Sequence, residues 1–88
     1  MKYNIKTDRY GTKYYRVKGR IHREDGPAVE FADGGKWWYK NGKIHREEGP
    51  AFERNGRKQW WLNNNFYGTN DDFTNESWQR FIKTLIFS

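Results

Sequence analysis

Residues 42–64 read GKIHREEGPAFERNGRKQWWLNN, and residues 19–41 immediately before them read GRIHREDGPAVEFADGGKWWYKN. Set 23 positions apart, the two segments agree at 12 of 23 places. The shared residues include Ile21/Ile44, His22/His45, Arg23/Arg46, Glu24/Glu47, Gly26/Gly49, Pro27/Pro50, Ala28/Ala51, Glu30/Glu53 and the pairs Trp37-Trp38 and Trp60-Trp61. A fixed period of this length marks one supersecondary unit, copied and stacked beside itself.

Traces of the unit continue on both sides. Tyr14-Tyr15 stand 23 places before Trp37-Trp38, and Gly11 the same distance before Gly34, so residues 11–18 read as half of a decayed earlier copy. On the other side Asn65, Phe66 and Tyr67 take the places of Gly42, Lys43 and Ile44 before the pattern dies at Gly68 to Asp72. Atypical end units are expected, since they close the stack rather than continue it.

The turns set the elements. Asn41-Gly42 lies between Lys-Trp-Trp-Tyr-Lys and Lys-Ile-His-Arg, a strong hairpin signal, and Asp33-Gly34 and Asn55-Gly56 mark the opposite end of each unit. Those last two are offset by one place in the 23-residue frame, which implies loops of different length. Runs rich in aromatic and β-branched residues lie between the turns: Lys13–Lys18, Ala28–Phe31, Lys36–Lys40, Ala51–Arg54 and Lys58–Leu62. The reading is mainly β, a single antiparallel meander of about six strands. Pro27 and Pro50 cannot donate to a ladder and mark bulges or breaks in the returning strand.

After residue 73 the period changes. Trp78, Phe81, Ile82, Leu85 and Ile86 form an amphipathic helical stripe, with Thr74 or Asn75 as N-cap. A helix over 74–87 is expected to pack on one sheet face and bury Trp78, Phe81, Ile82 and Leu85. The whole of 1–88 is read as one domain, with repeats over 11–67.

Composition narrows the function. Aromatics reach 19% with no cysteine, so rings rather than disulfides or thiolate metal sites must hold the core. No ~20-residue apolar span is present, and a cytoplasmic location is the expectation. The net charge of +6 is concentrated in residues 1–20, where seven Lys/Arg face Asp8 alone, while the repeats are nearly neutral. No Gly-rich phosphate loop, nucleophile–base pair or metal cluster stands out, so neither enzyme activity nor a cofactor is expected. His22 and His45 are repeat-equivalent, as are Arg23 and Arg46, Gly26 and Gly49, Pro27 and Pro50; residues copied in register suit a structural role. Arg23 and Arg46 have Glu24, Glu30, Glu47 and Glu53 as candidate ion-pair partners.

The period, the Lys-Asn-Gly-Lys-x-His core and the Asp-Gly turn resemble MORN repeats, antiparallel hairpin sheets with protein-binding and sometimes lipid-associated roles. The His-Arg-x-x-Gly-Pro-Ala form is similar to a MORN-like variant of bacteriophage and large DNA virus proteins, although MORN repeats usually carry Gly where Arg23 and Arg46 stand. What the resemblance implies is a protein-interaction module, in its most concrete form a small viral inhibitor of a host defence protein, acting in the host cytoplasm. The alternative is nucleic-acid or nucleotide binding through the basic N-terminal end and Trp/Arg surface; anionic lipid is a third reading. In either leading case an exposed aromatic column is the expected surface, the alternative being its partial cover by Arg and Lys stems. Strand alternation on the 23-residue frame places Trp37 with Trp60 on one face and Trp38 with Trp61 on the other. The polar neighbours Lys36, Lys40, Gln59 and Asn63 favour Trp38 and Trp61 as the outward pair, extended by Tyr15 and flanked by Lys13, Arg16 and Lys18.

Overall fold

The computed structural model describes residues 2–87, with side chains as far as Leu85. Ile86 of the expected helical stripe therefore has a side chain outside the described residues. The described residues form ten short strands and one helix: β1 (Asn4–Thr7), β2 (Lys13–Val17), β3 (Arg20–Ile21), β4 (Val29–Glu30), β5 (Lys36–Trp37), β6 (Tyr39–Lys40), β7 (Lys43–Ile44), β8 (Phe52–Arg54), β9 (Arg57–Leu62), β10 (Asn65–Thr69) and α1 (Asn75–Phe87).

Eight strands make one antiparallel sheet in the order β1-β2-β4-β5-β8-β9-β10, with β3 beside β2, while β6 and β7 pair separately. The antiparallel sheet is as read, but it has more strands than six, and the β6–β7 pair stands outside it instead of within a single sheet. Each returning hairpin arm leaves the sheet through the Arg-x-x-Gly-Pro bend and rejoins it at β4 or β8. The edge strand β1 was not anticipated. Its four residues, Asn-Ile-Lys-Thr, are all exposed and carry one apolar side chain, too little pattern to read.

Both central residues have positive φ at Lys18-Gly19, Asn41-Gly42, Asn55-Gly56 and Asn63-Asn64, the signature of the tight turns whose twist matches paired strands. The connection at 31–35 differs. Phe31 N–H donates to Gly35 O at 2.8 Å around Ala32-Asp33-Gly34, and the Asp33 carboxylate accepts from Gly35 N–H at 2.9 Å. In the second copy Arg54 pairs directly with Arg57 around Asn55-Gly56. One residue fewer closes the loop.

That residue rephases everything after it. Ala28 N–H donates to Trp37 O, but Ala51 N–H donates to Gln59 O. Likewise Arg23 N–H reaches Tyr39 O, and Arg46 N–H reaches Trp61 O. Trp60 is therefore the structural counterpart of Trp38, and Trp61 that of Tyr39. The expected grouping of Trp37 with Trp60 and Trp38 with Trp61 is wrong: Trp38 and Trp60 share the helix side, and Trp37 and Trp61 the other. The same shift puts the turn at Asn63-Asn64, so Asn64, not Asn65, corresponds to Gly42; Asn64 N–H donates to Ile44 O as Gly42 N–H does to Ile21 O.

Helix α1 lies on the C-terminal end of the sheet. Trp60, Trp78 and Ile82 form the buried cluster, with Leu62, Phe73 and Phe81 against it. A register shift between Phe66 and Gly68 lets Tyr67 meet Trp78 and Phe81 at ring distances of 5.8 and 5.5 Å. Thr74 is the N-cap: Ser77 N–H donates to its Oγ1 at 3.1 Å, and Thr74 N–H donates to Ser77 Oγ at 2.9 Å. Gln79 donates to Glu47 O at 2.9 Å, tying the helix to the second repeat. Leu85 is 42% exposed, contrary to expectation, because it lies a turn beyond Phe81, the last ring of the cluster.

Candidate interaction surface

On the helix side the central column is Tyr15, Trp38 and Trp60, and each ring has a lid. The Arg23 guanidinium lies 4.0 Å from the Tyr15 centroid and the Arg46 guanidinium 3.8 Å from that of Trp38. Trp60 has no such arginine; Phe73 and Trp78 cover it at 5.7 and 6.3 Å. Helix α1 thus ends the stack by replacing a cation lid with rings.

The repeated His-Arg-x-x-Gly-Pro sequence builds those lids. Arg23 donates to Pro27 O at 3.2 Å and Arg46 to Pro50 O at 3.1 Å. Gly26 and Gly49 back the guanidinium groups so closely that a Cβ on either would sit 3.0 Å from them. His22 Nδ1 accepts from Asn41 N–H at 2.8 Å, and His45 Nδ1 from Asn63 N–H at 3.1 Å, so each ring holds the next hairpin turn. The opposite nitrogens face Glu24 at 2.7 Å and Glu47 at 3.2 Å. Arg23 also meets Asp25 at 3.0 Å and Glu30 at 3.3 Å, whereas Arg46 meets Glu53 at 3.8 Å. The Arg23 hydrogen bond holds the Asp25 carboxyl below the usual carboxylate range.

Along one flank of this side Lys13, Glu30, Lys36, Glu53 and Lys58 pair in register across five strands, alternating in sign. Neighbours of opposite charge on adjacent strands stabilise the sheet by a few tenths of a kcal/mol, to about 1, each. The two glutamates are the only carboxylates carried by strands, and both face the helix side.

The opposite face is aromatic. Trp37 contacts Phe52 at 4.4 Å, Tyr39 at 6.4 Å and Trp61 at 6.3 Å, and Trp61 contacts Phe66 at 5.2 Å. Phe66 is 52% exposed and the other four are half-buried. Register places Lys6 and Tyr14 on this face at one end, and Arg54 with Arg57 at the other. Arg16 lies 5.2 Å over the Tyr14 ring, and Arg54 lies 4.3 Å over Phe31 while pairing with Asp33. No helix crosses these rings.

The residues expected to form one partner surface are therefore divided. Tyr15, Trp38 and Lys13 belong to the helix side, where Tyr15 is buried and Trp38 lies under Arg46. Trp61 and Arg16 belong to the aromatic face, and Lys18 sits in a tight turn. Trp37, Tyr39, Phe52 and Phe66 were not anticipated there. The signal was present in the one-place offset between the two Asp/Asn-Gly turns, but sequence could not say on which side of the Trp pair the slip takes effect.

Among the described residues no three His, Asp or Glu side chains gather as a metal site, and no helix is long and apolar enough to cross a membrane. No family model, curated protein or solved structure matches the chain.

The histidines can be tested separately. His22→Ala and His45→Ala each leave a backbone N–H of the following turn without its acceptor, at a cost of about 1–3 kcal/mol where that group is buried. His22, only 5% exposed, should be the costlier. Equal, negligible shifts in melting temperature would deny both rings their part in holding the turns.

Proposed function

We propose that the chain is a non-enzymatic protein-interaction module that docks a partner protein on the aromatic face of its sheet. The observation carrying this reading is the contiguous set Trp37, Tyr39, Phe52, Trp61 and Phe66 on the face that helix α1 leaves open. Protein interfaces are enriched at their centres in Trp, Tyr and Phe, with Arg also favoured, and Arg16, Arg54 and Arg57 stand around these rings. Neighbouring rings are inclined by 45–65° to one another, an interlocked surface rather than a row of parallel plates. Such relief suits complementary side chains better than a run of stacked bases. The MORN-like repeat pattern agrees with a docking role, and inhibition of a host protein by a small viral chain is its most concrete form.

Partner capture on the immobilised full chain, beside the W37A/W61A variant, tests the reading. A protein retained by the parent and lost from the folded variant supports it. An oligo(dT) titration at two salt concentrations provides the other arm. Tight binding that weakens steeply with salt and disappears in the same variant would assign the face to nucleic acid instead.

A further inference from the structure

The two arginine lids are not equivalent, and the difference leaves one guanidinium edge open. In the first repeat Arg23 Nε donates to Asp25 Oδ1 at 3.0 Å while its Nη1 serves Pro27 O and Glu30. The second repeat preserves the Nη1 side, with Pro50 O at 3.1 Å and Glu53 at 3.8 Å. Glu48 stands at the place of Asp25, yet among the described residues it makes no ion pair with Arg46, whose Nε has no hydrogen-bond acceptor. Lys40 occupies the place of Val17, which adds a cation that the first repeat lacks.

These differences meet in a groove of about 460 Å³ between the two repeat bends, lined by Trp38, Lys40 and Arg46 together with Arg23, Asp25 and Glu48. Glu24 and His45 also line it, but Glu24 faces His22, His45 faces Glu47, and Asp25 faces Arg23. Among the described residues Arg46 Nε has no hydrogen-bond acceptor, and neither Lys40 nor Glu48 makes an ion pair within 4 Å, although Glu48 lies near enough to act on the Arg46 charge.

We propose that this groove is a carboxylate-binding site, in which Arg46, held flat on Trp38, takes an incoming carboxylate at the edge that Asp25 fills on Arg23, with Lys40 as the second cation. The internal copy shows the geometry: at this edge an oxygen sits 3.0 Å from the arginine Nε. An arginine already stacked on a ring and backed by Gly49 loses little freedom on pairing, which favours a charge-assisted bond. Burial pushes the Arg46 guanidinium below its ordinary value, with Glu53 and Glu48 opposing. The site lies on the helix side and does not depend on the aromatic-face reading.

The test is an NMR titration of the Arg46 Nε–Hε resonance in the full chain with succinate, and with an acetylated Asp-Asp-Asp amide, against sodium chloride at matched ionic strength. Saturable shifts with either acid, absent with chloride, are expected; the tighter probe identifies a free acid or an acidic protein segment as the source. Glu48→Asp, which restores the pairing of the first repeat, should raise the half-saturation concentration at least tenfold. Glu48→Gln, which removes the competing charge, should keep or tighten binding. A chloride response equal to that of both acids, or unchanged binding in a folded E48D chain, overturns the proposal.

Discussion

Trp78→Ala should lower stability by about 3–5 kcal/mol, the cost of deleting a large aromatic from a packed core. Trp78 is fully buried and meets Trp60, Tyr67, Phe73 and Phe81, so its removal opens the centre of the ring cluster rather than its margin. Domains have stabilities of about 5–15 kcal/mol. A fall in melting temperature of roughly 4–8 °C per kcal/mol lost is therefore the expected outcome. Neither the Trp60 nor the Trp78 indole N–H has an acceptor, a cost this aromatic surrounding offsets only weakly. Replacement by Phe should accordingly be far milder than by Ala. A W78A melting curve indistinguishable from the parent's would mean that α1 does not close this core.

The second large effect concerns binding. Trp37→Ala with Trp61→Ala should leave the sheet folded, since both side chains are half-buried and the main cluster is on the other side. Partner affinity should fall by about 2 kcal/mol or more, roughly thirtyfold, as for aromatic residues at the centre of an interface. Calorimetry on the captured partner measures it. Trp38→Ala provides the contrast. Removing that ring exposes the Arg46 lid and should affect stability more than docking. A double variant that binds normally while W38A does not would return the docking surface to the helix side.

Much of the fold can be read from residue order alone. The 23-residue period, the Asn-Gly turns and the 3.6-residue stripe of α1 are local patterns, and the antiparallel sheet with one C-terminal helix follows from them. Facing is different, because in a strand one residue of slip exchanges the two sides. Trp37-Trp38 and Trp60-Trp61 align perfectly as letters, yet Ala32-Asp33-Gly34 against Asn55-Gly56 shifts their backbones by one place. Trp60 and Trp61 keep their expected sides; Trp37 and Trp38 exchange theirs. The arginine lids are only partly legible, for another reason. Arg23 and Arg46 bind groups four and seven residues on, and stack on rings eight residues back, so sequence offers candidate ion pairs and cover of the aromatic column by Arg and Lys stems, but not which arginine lies on which ring.

The shared facing of Trp37 and Trp61 underlies both the docking surface and the rephased repeat. Nuclear Overhauser contacts among the indole side chains report on it most directly. Ring centroids 6.3 Å apart should give cross-peaks between Trp37 and Trp61, alongside Trp60 to Trp78 at the same separation, with none between Trp37 and Trp60. Cross-peaks linking Trp37 to Trp60 or Trp78, with none to Trp61, would contradict it.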